Sequence, residues 1–377
     1  MSRVVDIAII GGGASGLFLA SQLHNKEVVI IDNNPKLASK IAISGGGKCN
    51  ITNKILSPNN YLGDKRFIER VFKRFNNKDL IEWLDKRGLT PIIKNQTQYF
   101  CAKSSSEIIN IFLRETQKHH IIKNQTIVSI TKKDDIFYIQ TDRDIIKSKK
   151  VVVASGGLSF SKIGATSIGF DIASHFGHNI TKLSPALVGF TLQKEQSFWK
   201  TLSGVSLIVS IKVEKKIFNG SLLFAHRGIS GPVILNSSIY WQKGDIEIDF
   251  LDGFEINTNS NKLISSYIPL PKRVIKAFLE EWKIEDKPMK RLTNIELKTL
   301  KTLSSYSFAP AGNFGYSKAE VTRGGVATNE INAKTMESKL VKDLYFIGEV
   351  LDVTGELGGY NFQWAFSSAY ACGMNII

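Results

Sequence analysis

Three glycines, Gly11, Gly13 and Gly16, stand at GxGxxG spacing between an apolar run, Val4 to Ile10, and a helical pattern, Ala14 to His24. In a strand, turn and helix the first glycine permits the tight turn, the second lets a pyrophosphate approach the backbone, and the third lets the helix lie close to its strand. Ala14 and Ser15 then sit at a helix N-terminus that faces the phosphates. A second apolar run, Glu27 to Ile31, ends in Asp32, at the distance expected of a carboxylate that bonds a ribose 2′-hydroxyl, with Asn33 beside it. The set predicts a dinucleotide site, and its place at the start of the chain favours a tightly held FAD.

Further residues of the right type follow in segments that can return to that site. Residues 36–53, KLASKIAISGGGKCNITN, read as a loop in which Ser44 to Gly47 turn successive N–H groups inward as an anion nest, with Lys40 and Lys48 adding positive charge. Ser44, Gly46 and Asn50 are its expected cofactor contacts. Cys49 ends the nest, where electropositive surroundings favour a thiolate, which makes it a catalytic candidate; the alternative is a small residue buried under the cofactor. His226, on a glycine-flanked bend with Arg227, is the second candidate, weighed against a purely structural role.

These residues need elements to position them, and the pattern is α/β. Val151 to Ala154 reads as a parallel strand, after which Ser155, Gly156 and Gly157 bring the chain back to the cofactor, through Ala154 and Gly156. Thr126 to Thr141 with Asp144 to Lys150 reads as an antiparallel meander whose first strand sets Val128 beside the adenine. Leu344 to Ile347 is one more strand, ending at Gly348 and Glu349, and GGYNFQWAFSSAYACG opens a last helix with Asn361 and Phe362 in its first turn. The cofactor domain is therefore expected in two parts, 1–185 and 316–377, around a β unit at 186–255 and a helical unit at 256–315. Helices at Lys65 to Phe75 and Lys78 to Lys86, the latter capped by Asn77, and the helical stretch 260–304 carry basic faces that could track phosphates.

Composition bounds the rest. With 43% hydrophobic and 22% charged residues in 377, this reads as an ordinary globular chain, and no apolar run approaches a membrane span. Asp6 and Gly11 to Gly13 argue against a signal peptide. The three cysteines are odd in number and lack CxxC or metal-type spacing, so a reducing cytoplasm and no metal are expected. No CxxxxC pair marks a disulfide reductase, and no second glycine-turn unit holds a nicotinamide, so NADH or NADPH is expected to dock transiently. A net charge of +15 would draw polyanions such as RNA, although a chain rich in Lys, Ile and Asn has a compositional source for it as well.

The blocks GGGASG at 11–16, KIAISGGGKCNITN at 40–53, LLFAHRGISGP at 222–232, and EVTRGGV through GEVLDVTGELGGYNFQWA at 320–365 together resemble the BaiN/RdsA family of NAD(P)/FAD-dependent oxidoreductases. The resemblance implies a discontinuous, glutathione-reductase-like FAD-binding Rossmann domain with inserted β-barrel-like and helical subdomains. In such folds the acidic end of the late strand meets the ribityl chain. The family pattern commonly has Glu and Arg where this chain has Asp32 and Lys48; Asp32 still accepts a ribose hydroxyl, while Lys48 lacks a bidentate fork. One branch is similar to dihydrouridine synthases acting on ribosomal RNA, and another is linked to double bonds of oxo-steroid CoA thioesters. The reading that follows is reduction of a uridine C5=C6 bond in ribosomal RNA. The alternatives are an enone reductase or desaturase on a small apolar substrate, and an RNA-binding module with structural FAD.

Overall fold

Continuous Val/Ile runs make strands that can be buried on both faces, and such strands form the centre of the molecule. The computed structural model describes residues 4–376; the outermost residues of the expected first and last segments, 1–3 and 377, lie outside the described residues. The chain divides into two compact units, Met1–Pro185 with Glu320–Ile377, and Ala186–Ala319. In the first, strand Val4–Ile10 lies parallel to Val28–Ile31 on one side and to Ile145–Val153 on the other, with Ile10 opposite Ile31 and Val153. His120–Ile122 extends the sheet beyond Val28–Ile31, and Leu344–Phe346 pairs in parallel with Ile145–Val153. Chain segments from both ends of the sequence thus share one sheet.

The meander Ile127–Lys133, Ile136–Thr141 and Ile145–Val153 is antiparallel. Its last strand is one continuous element rather than the two expected, Asp144 to Lys150 and Val151 to Ala154. It starts alternating, at the meander, and becomes wholly apolar at Val151–Val153, where parallel strands flank it on both sides. The helix after the glycine turn is shorter than its pattern, Ala14–Ala20, because the Ser21 hydroxyl bonds Phe18 O and the chain tightens into an i,i+3 bond from Gln22 N to Leu19 O. Phe18 on this helix is fully buried among Phe75, Trp83, Phe112 and Phe366, at centroid distances of 5.4, 4.8, 6.2 and 5.2 Å. Phe366 belongs to the last helix, Tyr360–Gly373.

The basic helix spans Lys65–Phe72, and Asp64 caps it by accepting the N–H groups of Arg66 and Phe67. In the next helix, Asn77–Asp85, the cap is Asn76 and not Asn77, whose amide instead bonds Asn53 O and Lys54 O.

The second unit is built on an antiparallel sheet ordered Tyr306–Phe308, Ile246–Asp249, Ser206–Val213, Lys216–Ala225, Gly228–Ser230, Phe190–Thr191, Gly312–Asn313. Trp199 is fully buried in its core, 5.5 Å from Phe224 and 5.1 Å from Phe308 by ring centroids. The stretch expected to be all β holds a 3₁₀ helix, Lys194–Leu202, and an α-helix, Pro232–Tyr240, started by a proline in its first turn. Helices Lys272–Glu281 and Asn294–Lys301 follow in the basic stretch. Among the described residues no helix is long and apolar enough to cross a membrane.

Two predictions follow from this packing. Phe18→Ala should cost about 3–5 kcal/mol in urea unfolding, the range for an aromatic lost from a closed core; a loss under about 1 kcal/mol would mean that the cluster does not join the first and last helices. His119 and His178 are buried, bonding Ala20 O and, for His178, Glu330 and Ser338. Burial pushes both imidazoles below their ordinary value. The unfolded chain then takes up protons that the folded chain refuses, so stability should fall as the pH drops below about 6.5. Thermal unfolding at neutral and mildly acid pH should give a smaller loss for His119→Gln/His178→Gln than for the parent; an equal loss would exclude these two groups as the cause.

Candidate cofactor site and catalytic residues

The glycine turn is held by backbone contacts that leave no room for side chains at two of its three glycines. Gly11 has φ +106°, and a Cβ there would lie 2.6 Å from Ala154 O. A Cβ on Gly16 would lie 2.0 Å from Gly11 O, whereas one on Gly13 would meet nothing within 4 Å. The turn therefore has one open face, at Gly13. Asp32 braces it, one carboxylate oxygen accepting Gly12 N–H at 2.6 Å and the other Asn34 N–H at 2.7 Å. This bracing role goes beyond the ribose contact that the sequence predicts, and it leaves lone pairs on both oxygens for a sugar hydroxyl. Asn33 donates to Gly164 O at 3.1 Å. Val128 is exposed at a bulge three residues beyond Gln125, whose N–H donates to Asp32 O at 3.3 Å.

Residues 36–53 are not the loop expected. The apolar spacing of KIAI supports a helix from Ser39, with Ile41 buried; Ser44 leaves the helical conformation at ψ 150°, and Gly45, Gly46 and Gly47 follow at φ 55°, 64° and 82°. Only glycines make three left-handed residues in succession cheap. Asn50 opens the strand Asn50–Asn53.

Cys49 is fully enclosed, with φ +48°, beside an equally buried Cys101. Asn50 pairs with Phe100 across the two strands, and Cys101 N–H donates to Lys48 O at 3.0 Å, so the two thiols are cross-strand neighbours. The hydrogen bond with the Cys101 thiol and burial raise the Cys49 thiol well above its ordinary value. The expected thiolate is thereby corrected: Cys49 is shut into the core beside Cys101, and that hydrogen bond and burial favour the protonated thiol.

Lys40 and Glu349, both expected at the cofactor, meet in an ion pair of 2.6 Å. The other Glu349 oxygen accepts Thr322 N–H at 2.8 Å, and the Thr322 hydroxyl accepts Leu158 N–H at 2.8 Å. Two segments thus bond this carboxylate directly, and a third reaches it through the Thr322 hydroxyl. Nothing in the spacing of residues singles out Thr322, whose block, EVTRGGV, carries only the family resemblance. Next to it, Glu320 keeps contact with solvent yet is crowded enough for desolvation to raise its carboxyl, against a smaller lowering by Lys40.

Gly348 has φ +78°, and a Cβ there would lie 2.6 Å from Ser15 Oγ, so strand end and glycine-turn helix touch. Asn361 is held by Gly355, donating to its O and accepting its N–H at 2.8 Å each, and the Phe362 ring lies nearly parallel to Phe366. Near Ala154 and Gly156, Ser155 Oγ is buried without a hydrogen-bond partner, as is Asn50 Oδ1. An open face at Gly13 with buried, unsatisfied polar atoms on the neighbouring segments fits a dinucleotide. His226 lies in the second unit, exposed in the turn between Lys216–Ala225 and Gly228–Ser230. Among the described residues no group of three or more His, Cys, Asp or Glu could hold a metal.

A Rossmann-type sheet with this turn defines an FAD-dependent oxidoreductase, so an RNA-binding module with FAD as mere ballast is set aside. More narrowly, the chain belongs to the family described as HI0933-like protein Rossmann domain, whose model matches residues 5–375, the family that the sequence blocks resemble. It is 38% identical over 398 residues to a protein of Haemophilus influenzae named ribosomal RNA dihydrouridine synthase, covering 100% of this chain and 99% of the relative. It is 28% identical to a 3-dehydro-bile acid delta(4,6)-reductase of Clostridium scindens, covering 97% of this chain and 98% of that one. Among solved structures, Mycobacterium smegmatis Sdh1 in complex with UQ1 is similar in fold alone, at 12% identity and a TM-score of 0.50, covering 99% of this chain and 68% of that one.

Gly13→Val and Gly16→Val should therefore fail differently. Gly13→Val should keep the melting temperature of the apoprotein but lose bound FAD, read from visible absorbance; Gly16→Val should lower that melting temperature or prevent folding, because backbone oxygen occupies its Cβ position. Full FAD content in Gly13→Val would show that the open face is not the diphosphate site.

Proposed function

We infer that this enzyme reduces the C5=C6 bond of a uridine in ribosomal RNA to dihydrouridine, with NADH or NADPH as the electron source. The observation that carries this is 38% identity along the full length of a relative named ribosomal RNA dihydrouridine synthase. One NAD(P)H, one proton and one uridine give one NAD(P)+ and one dihydrouridine. Bound FAD would supply the hydride chemistry, taking a hydride from the nicotinamide and returning it to the uracil ring.

The chain's own residues hold and orient the reactants. We assign Gly13 with Ala14 and Ser15 to the diphosphate, Asp32 to a ribose hydroxyl, and the Lys40–Glu349 pair to the ribityl side. A carboxylate already neutralised by Lys40 can accept a hydroxyl without adding net charge beside a reduced ring. The proton taken up at C5 requires a side chain that substrate can reach. His226 is exposed and Cys49 is enclosed, so His226 takes this role in the proposal. Cys49 is left to pack beside Cys101, at the end of the Gly45–Gly47 run. A uracil stacked in a helix is out of reach, so the target base is flipped out or sits in a loop. A ribosomal RNA substrate implies work in the cytoplasm.

The relative named as a bile acid reductase favours a second reading, reduction of a conjugated enone on a small apolar molecule. Mass spectrometry of ribosomal RNA from cells with and without the gene separates the two. Dihydrouridine should disappear on deletion and return with the parent gene, and His226→Asn should restore it about 100-fold more slowly or worse. Unchanged ribosomal RNA, together with enone-dependent NAD(P)H oxidation by the purified enzyme, would favour the second reading.

A further inference from the structure

The first unit carries a cavity of about 970 Å³ between the basic helix and the segment before the late strand. Its walls hold Arg66, Arg70, Lys73 and Arg74 from one side and Lys334 and Lys339 from the other, and one carboxylate, Asp64. Asp64 is occupied as the helix cap, and Lys73 is balanced by Glu69 at 2.9 Å. The guanidinium groups of Arg66, Arg70 and Arg74 make no ion pair or hydrogen bond among the described residues, and Lys339 bonds only a carbonyl, that of Asn329. All six cations are exposed.

Arg74 stands in the turn that ends the basic helix, and Arg66 and Arg70 stand one turn apart on it, about 6 Å along its axis. That is comparable to the spacing of successive phosphates on one nucleic-acid strand. Two basic walls facing each other across a concave space can hold a backbone from both sides, and Arg binds phosphate through two parallel N–H bonds. A flat bilayer surface would meet the rim of such a cavity and leave its floor empty. The basic helix Lys272–Glu281 of the second unit is a weaker candidate, since Arg273 is tied to Thr201 O and the helix ends in Glu280 and Glu281.

We propose that this groove, walled by Arg66, Arg70, Arg74, Lys334 and Lys339, is a docking site for the phosphate backbone of ribosomal RNA outside the reacting nucleotide; the proposal rests on the RNA reading given above. Sequence is not read here, so affinity and salt dependence are what the groove supplies.

The test uses the FAD-loaded enzyme titrated with protein-free ribosomal RNA between about 50 and 200 mM salt. Arg66→Glu/Arg70→Glu is compared with Lys272→Glu/Lys276→Glu, an equal charge change elsewhere, after equal melting temperature and FAD content are verified. The groove variant should bind about tenfold or more weakly, with a salt slope shallower by about 2, while the control changes little. Equal weakening of both variants, or none in the groove variant, would overturn the proposal, as would failure of the parent protein to bind ribosomal RNA. A raised KM for NADH or NADPH, or loss of binding to phosphatidylglycerol vesicles with RNA binding intact, would give the groove to another occupant and overturn it too. Ribosomal RNA whose dihydrouridine is unchanged on deletion would remove the RNA-reduction reading alone, and the binding comparison would still judge the groove.

Discussion

Backbone against backbone at Gly11 and Gly16 is the constraint on which the rest depends. Gly16 leaves no space for a Cβ next to Gly11 O, and Gly11 leaves none next to Ala154 O. The helix is therefore pressed to its strand, and the strand's end to that of its parallel neighbour. Because Gly16 and Phe18 share the short helix Ala14–Ala20, its seating also places Phe18 among the rings of three other helices. Close backbone approach and aromatic burial are two faces of one packing solution, and the open face at Gly13 is what that solution leaves accessible.

The same sheet explains why a cofactor domain interrupted by 134 residues, Ala186 to Ala319, can still be one folding unit. Leu344–Phe346 completes the edge of strand Ile145–Val153, so the late segment brings its backbone hydrogen bonds to a sheet that would otherwise expose an unpaired edge. Glu349 follows directly and pairs with Lys40 across 309 residues of sequence. An ion pair between partly exposed groups contributes little to stability by itself. Its effect is positional, since the same carboxylate orients Thr322, and Thr322 in turn fixes the chain leaving Val153.

Much of this was legible where the signal is local. The strand, glycine turn and helix, the acidic residue at the end of the second strand, the meander and the late strand are all written in continuous runs. What the sequence concealed depends on register or on long separation. Whether Ser39 to Ile43 coils is decided by burial of Ile41, and a following row of glycines hides it. The Cys49 environment follows from the pairing of Asn50 with Phe100, which puts a second thiol beside it. The Lys40–Glu349 pair joins two residues each assigned to the cofactor for separate reasons; only the fold reveals that they satisfy each other.

Charge makes the same point from another direction. A net charge of +15 does not separate a biased composition from a functional surface, because both raise the count of lysines and arginines. Placement separates them. A compositional excess is indifferent to partners, and on ordinary surface helices carboxylates one turn away accompany it, as Glu69 accompanies Lys73 and Glu82 accompanies Lys86. Arg66, Arg70 and Arg74 lack such partners among the described residues, lie on one side of a concave wall, and face lysines contributed from about 260 residues further along the chain. Like charges gathered in this way repel one another in the free protein, a cost that burial of Phe67, Ile68, Val71 and Phe72 on the same helix offsets. A fold that tolerates this standing repulsion gains a place where a polyanion relieves it, and the relief is a binding energy available only to a negatively charged ligand.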